Sequence, residues 1–123
     1  MRLAAANATA GASAFRLTEV APDAADAPVR AVTVAYLLDR FGGGRALLVK
    51  LDIEGGEAAL FRSNTAWLAD IEMLVIELHD WLYPWAGTSR AFFRAVSAHP
   101  FDYLMRGENL FCFRDPDAAT SAP

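Results

Sequence analysis

Residues 46–54, Ala-Leu-Leu-Val-Lys-Leu-Asp-Ile-Glu, begin as an apolar run and end in an alternation with Lys50, Asp52 and Glu54 on one face and Leu51 and Ile53 on the other. A period of two predicts a strand, apolar on both faces in its first half and polar on one face at its carboxyl end. Gly55 and Gly56 break it, and the good helix formers of residues 57–61 predict a helix directly after the turn. Residues 72–79, Glu-Met-Leu-Val-Ile-Glu-Leu-His, predict a second buried strand, again apolar in the middle and polar where it ends. About twenty residues containing a helix separate the two strands, the length of a right-handed parallel crossover. The strands are therefore expected side by side in one direction, bringing Asp52, Glu54, Glu77 and His79 to one rim of a sheet.

The flanks are read the same way. Residues 1–12 are rich in Ala, Asn, Thr and Gly and show no period, so no regular structure is expected there. Residues 13–20 alternate weakly and predict an edge strand. Residues 21–28 read as a loop set by Pro22, Pro28, Asp23 and Asp26, and residues 29–32 as a short extended stretch. Thr33 is placed as the N-cap of a helix whose apolar stripe is Val34, Leu37, Leu38 and Phe41, stopped by Gly42-Gly43-Gly44. Those glycines precede a strand, whereas phosphate loops follow one, which favours the helix-stop reading. Residues 63–65 break the central helix, and residues 66–69 supply one further turn carrying Trp67 and Leu68. Residues 80–87 form an aromatic loop. Thr88 is expected to cap a helix whose inner face is Phe92, Phe93 and Val96, ended by His99-Pro100. Residues 101–105 and 110–113 read as a hairpin around a turn of Arg106, Gly107, Glu108 and Asn109, and residues 115–123 as a disordered tail.

Composition narrows the class. With 123 residues, 54% of them hydrophobic, the chain suits one small domain whose sheet is covered on both faces. A net charge of −4 argues against a broad attraction to nucleic acid or anionic membranes. Cys112 is the single cysteine and lies in an apolar run, so it reads as a small buried hydrophobe. No apolar run reaches membrane-spanning length, and Asn7, Thr9 and Gly11 interrupt any signal-peptide core; a cytoplasmic location is the expectation.

The rim residues carry the candidate chemistry. In open α/β sheets ligands sit at the carboxyl ends of the strands. Asp52, at the end of a buried strand, can orient an acceptor, take its proton or bind a cation; its bland alternative is to cap the Gly55-Gly56 turn. Glu54 shares a face with Asp52 and repels it unless Lys50 or a cation lies between them. Oxygen ligands of this kind, Asp52 and Glu54, suit Mg²⁺ or Ca²⁺ better than zinc. Glu57 in a first helical turn is equally explained by the helix dipole. Glu77 and His79 share a strand face, and a histidine beside a carboxylate is a credible general base. Trp81, Tyr83 and Trp85 either wall an acceptor pocket or pack on their own sheet, the latter being the commoner case. His99 reads as a helix terminus only.

Residues 49–57, Val-Lys-Leu-Asp-Ile-Glu-Gly-Gly-Glu, resemble the Lys-Ile-Asp-(Ile/Val)-Glu-Gly-x-Glu signature of FkbM-type methyltransferases. Residues 32–38 are similar to that family's lead-in helix, residues 75–79 to its later Ile-x-Glu-x-His-like strand, and Gly107 with Asn109 to the turn of its closing hairpin. The resemblance covers residues 29–114 and implies a partial Rossmann-like α/β fold, parallel strands with crossover helices followed by an antiparallel hairpin. It also implies S-adenosylmethionine as methyl donor, a hydroxyl of a sugar or small molecule as acceptor, Asp52, Glu77 and His79 as catalytic residues, and Glu54, Trp81 and Tyr83 on the acceptor side. Asp52 with Glu54 would hold a divalent cation such as Mg²⁺. The family's Gly-rich donor turn has no counterpart in this sequence, so the expectation is the carboxyl-terminal half of such an enzyme, with donor-binding residues unassigned. An interaction module completed by a partner, or self-associating through an exposed sheet edge, and a metal-dependent hydrolase on the same acidic rim are the competing readings.

Overall fold

The computed structural model describes residues 2–7, 15–20, 29–30 and 32–118, with side chains described from residue 32 onward. The central expectation holds. Strand β4 (Ala46–Leu51) runs into a tight turn and helix α2 (Glu57–Arg62), a 3-10 turn at Ala66–Asp70 follows, and strand β5 (Ile71–Glu77) pairs with β4 in parallel, Lys50 against Val75 and Leu51 against Ile76. After a 3-10 turn at Asp80–Leu82 and helix α3 (Arg90–Val96), strands β6 (Phe101–Arg106) and β7 (Asn109–Arg114) close the chain as an antiparallel hairpin. The hairpin inserts β7 beside β5, giving a four-stranded sheet in the order β4-β5-β7-β6 with one parallel and two antiparallel pairings. The fold is thus mixed α/β with an open sheet.

Upstream, strands β1 (Arg2–Asn7), β2 (Phe15–Val20) and β3 (Val29–Arg30) form a separate antiparallel sheet in the order β2-β1-β3. The expected edge strand is β2. Strand β1 corrects the expectation of an irregular start: its alanines are poor strand formers, and the pairing of all six of its residues with β2 supplies what local propensity does not. The loop expected at residues 21–28 and the end of the tail, residues 119–123, lie outside the described residues.

Leu68, Ile71, Leu74, Ile76, Phe92, Val96 and Cys112 are fully buried and form the centre of the core. Phe61 packs on Phe92 edge to face at 5.1 Å between ring centroids and on Trp67 at 5.9 Å, joining α2, α3 and the 3-10 turn over one sheet face. Arg114, at the end of β7, donates to the carbonyls of Ile71 and Leu68 and lies 4.7 Å from the Phe101 ring, fastening the hairpin to the start of β5. Burial pushes the Cys112 thiol up to about 11, so it stays protonated at neutral pH. Among the described residues no helix is long and apolar enough to cross a membrane.

Five apolar positions, Leu37, Phe41, Leu47, Leu48 and Phe93, depart from their expected faces. In helix α1 (Val34–Phe41), capped as expected by Thr33 Oγ1 accepting from the Tyr36 amide at 3.1 Å, only Leu38 is buried while Phe41 is 79% exposed. The four-residue stripe is wider than the surface that covers it. In α3, Phe92 and Val96 face the core but Phe93 does not. Strand β4 was expected apolar and buried on both faces, yet Leu47 is 78% exposed; β4 is an edge strand with a single neighbour. The hairpin loop is also shorter than expected. Arg106 and Asn109 belong to the strands, and Gly107 with Glu108 make a two-residue connection, Gly107 supplying the φ of 61° such a turn requires.

Candidate functional site

The parallel register of β4 and β5 carries the four expected polar residues to one rim, where they converge on a single atom. Nε2 of His79 lies 3.8 Å from Asp52 Oδ1, 3.8 Å from Glu54 Oε2 and 3.7 Å from Glu77 Oε1. His79 is only 2% exposed, so its ring is enclosed by the protein. Lys50 Nζ sits 3.5 Å from the other oxygen of Asp52, Oδ2, which leaves Oδ1 facing the histidine.

What positions the ring is a residue that sequence reasoning left undecided. Glu57, the first residue of α2, is 1% exposed and its Oε1 stands 2.7 Å from His79 Nδ1. A carboxylate here accepts the Nδ1 hydrogen, which fixes the ring's orientation with Nε2 toward the acidic rim. Glu57 Oε2 is buried with no hydrogen-bond partner among the described residues. The helix dipole explains a carboxylate at this position but not its burial; the readable signal was a glutamate directly after a glycine pair, where the turn folds its side chain back under the strand ends.

The turn itself is strained in a way that serves the rim. Glu54 has a φ of 50° and Gly55 a φ of 91°. The left-handed step reverses the chain within two residues and returns the Glu54 carboxylate to His79. A Cβ at Gly55 would stand 2.5 Å from the Tyr83 ring, so the aromatic loop closes directly over the turn. Gly55→Ala adds a left-handed penalty of about 1–2 kcal/mol to that clash. Its urea midpoint is expected to fall accordingly, whereas an unchanged midpoint would show that Tyr83 does not pack there.

The aromatic loop divides. Tyr83 covers the turn, Trp81 is 67% exposed with its ring 6.2 Å from His79, and Trp85 is 99% exposed. A hollow of about 360 Å³ opens beside the rim, lined by Leu78, Trp81, Met105, Gly107, Glu108 and Leu110. Its size lies within the range of small-molecule sites. Trp81 therefore belongs to a pocket wall and Tyr83 to the packing of the turn.

Asp80 anchors the loop. Thr88 Oγ1 donates to Asp80 Oδ1 at 2.6 Å, and the Ser89 N–H donates to the same oxygen at 3.1 Å. Thr88 thus binds Asp80 and does not cap α3; the N-cap is Ser89, one residue on. Burial raises the Asp80 carboxyl, but the hydrogen bonds from Ser89 and Thr88 outweigh it and hold the group below its ordinary value. A lowered folded-state value stabilises the fold above the unfolded carboxyl's value, and that contribution disappears as pH falls through the lowered one. The stability gap between the wild type and Asp80→Asn, measured by urea unfolding, is therefore expected above about pH 4 and to close in more acidic buffer. His99, a helix terminus as expected, is lowered by burial and by Arg114.

Asp52, Glu54 and His79 each place a ligand atom within 4.8 Å of the others and could hold a metal ion. The pair Asp52 and Glu54 expected from the sequence thus gains an imidazole nitrogen. Searches among curated proteins and among solved structures find no match. A comparison with protein-family models matches the methyltransferase FkbM domain over residues 2–105, reaching further toward the amino terminus than the motifs alone suggest. The match spans most of the chain, and with the signature segment folded as the strand, turn and helix that build the rim, the chain belongs to the FkbM methyltransferase domain family.

Proposed function

We propose that this chain transfers the methyl group of S-adenosylmethionine to a hydroxyl of a sugar or other small molecule, with the reaction centred on His79 Nε2. The observation that carries the reading is the convergence of Asp52, Glu54 and Glu77 on that nitrogen while buried Glu57 holds the opposite one. It is the arrangement of an oriented base: one ring nitrogen anchored by a carboxylate, the other free to act. Family membership supports methyl transfer as the reaction.

The chemistry asked of these residues is modest. The acceptor oxygen attacks the methyl carbon in line with the carbon–sulfur bond, that bond breaks, S-adenosylhomocysteine departs, and the hydroxyl proton passes to the rim. Alignment supplies much of the rate, and a base worth about 10²–10⁴-fold supplies part of the remainder. His79 takes the proton and Asp52 orients the hydroxyl. Glu54 and Glu77 add negative charge, which suits the approach of a positively charged sulfonium. The hollow lined by Leu78 and Trp81 receives the apolar part of the acceptor, with Trp81 offering the flat face on which sugar rings stack.

Calorimetric titration of the full chain with S-adenosylmethionine, followed by transfer of labelled methyl into a panel of monosaccharides, glycosides and polyols, tests the reading. Saturable donor binding and label in a hydroxyl acceptor are expected. No donor binding at millimolar concentration, or hydrolysis of a generic phosphoester with Mg²⁺ in place of methyl transfer, would overturn it.

A further inference from the structure

We infer that the rim is a divalent-cation site with His79 Nε2, Asp52 Oδ1 and Glu54 Oε2 as ligands, and that Mn²⁺ or a similar first-row ion, not Mg²⁺ or Ca²⁺, is its preferred occupant. The inference deepens the methyl-transfer reading and amends its base: a cation held by Nε2 would take the place of His79 as the activating group, binding the acceptor hydroxyl so that its proton passes to a rim carboxylate, but the binding site itself does not depend on that reading. Three observations carry it.

The first is geometric. Ligand atoms about 2.1 Å from a common ion stand roughly 3 to 4.2 Å apart, depending on whether they are adjacent or opposite. The two carboxylate oxygens lie 3.8 Å from Nε2, inside that span, and the three residues each offer a ligand atom within 4.8 Å of the others. Asp52 and Glu54 keep side-chain exposures of 44% and 29%, so both can close on an ion by small movements while the buried imidazole stays fixed.

The second is the histidine. His79 is buried, and its Nε2 faces three carboxylate oxygens at distances beyond hydrogen-bond length. Nε2 thus meets three acidic groups without a hydrogen bond to any of them, and a cation between them turns the contacts with Asp52 and Glu54 into ligand bonds. Glu57 on Nδ1 completes the carboxylate–histidine–metal relay that fixes a ligating ring and raises its basicity. Glu77 Oε1, 3.7 Å from Nε2, stands beside the three ligands and adds charge without joining them.

The third is charge. Asp52, Glu54, Glu57 and Glu77 surround the imidazole, and Lys50 is the cation paired with them among the described residues. The imbalance remaining after Lys50 calls for a small cation of charge two or more. An imidazole nitrogen among carboxylates selects against the all-oxygen preference of Mg²⁺ and Ca²⁺, and the absence of thiolate selects against a structural zinc site.

The test is calorimetric titration of the chelator-treated full chain with MnCl₂, repeated with MgCl₂, with Mn²⁺ spin resonance as an independent readout. One Mn²⁺ site is expected, binding at least tenfold more tightly than Mg²⁺. His79→Asn and Asp52→Asn should abolish it or weaken it more than tenfold, and Glu57→Gln, which touches no ion, should weaken it about 10–100-fold. For variants that fail to fold, substoichiometric Mn²⁺ added to the isotope-labelled wild type gives the same information, because paramagnetic broadening should begin at Asp52, Glu54 and His79. Absence of saturable Mn²⁺ binding, a site indifferent to His79→Asn, or broadening centred elsewhere overturns the inference. Donor binding and methyl transfer that persist after such a failure would leave His79 acting as the base, so the two readings fail separately.

Discussion

Replacing Glu57 by alanine is expected to lower the free energy of unfolding by about 3 kcal/mol, while Glu57→Gln lowers it by about 1 kcal/mol. The difference follows from what each variant leaves behind. Alanine removes the hydrogen-bond acceptor that His79 Nδ1 has among the described residues and strands a buried donor, besides leaving a void at the start of α2. Glutamine keeps an oxygen at the same reach and nearly the same volume. Against the 5–15 kcal/mol that holds a typical domain folded, the alanine loss is large. Urea unfolding by far-ultraviolet circular dichroism measures both. Equal losses for the two variants would mean that the charged carboxylate, and neither the side chain's volume nor a neutral acceptor for the histidine, is what Glu57 contributes.

His79→Asn is expected to lower methyl transfer by about 10²–10⁴-fold toward whichever acceptor the panel returns, with donor affinity changed little. Asparagine is the informative replacement because its amide can still donate to Glu57, so the buried pair survives while Nε2 is lost. A fall in turnover with unchanged donor binding places the residue in the chemical step. A fall in donor binding with turnover preserved at saturation would instead make the rim a recognition surface.

Much of this was legible in the chain because two signals agreed. The apolar runs ending in Asp52 and in Glu77 had strand period and strand length, and the glycine pair with a helix between them fixed a parallel crossover. Direction then followed, and with it the meeting of the four polar ends at one rim. What escaped depended on contacts between distant segments. Glu57 has every local reason to be a solvated first-turn carboxylate; only the ring of His79, 22 residues on, makes its burial worthwhile. Thr88 has the sequence of a cap, but the Asp80 carboxylate, arriving from the other end of the loop, takes its hydroxyl. Phe41, Leu47 and Phe93 sit in correct apolar patterns and are exposed because periodicity marks the face an element offers, not whether a neighbour covers it. The alanine-rich strand β1 is the converse: pairing with β2 made a strand where composition offered no sign of one.

In the proposed reaction Asp52 and His79, which lie just past the ends of β4 and β5 and 27 positions apart in sequence, work as one centre. The rate of methyl transfer by the double variant Asp52→Asn/His79→Asn, set against the two single variants, tests this most directly. Groups that act as a unit are lost together, so the double variant should be no slower than the slower single by more than a few-fold. A double variant slowed by the full product of the two single losses would show two independent contributions and contradict a shared centre.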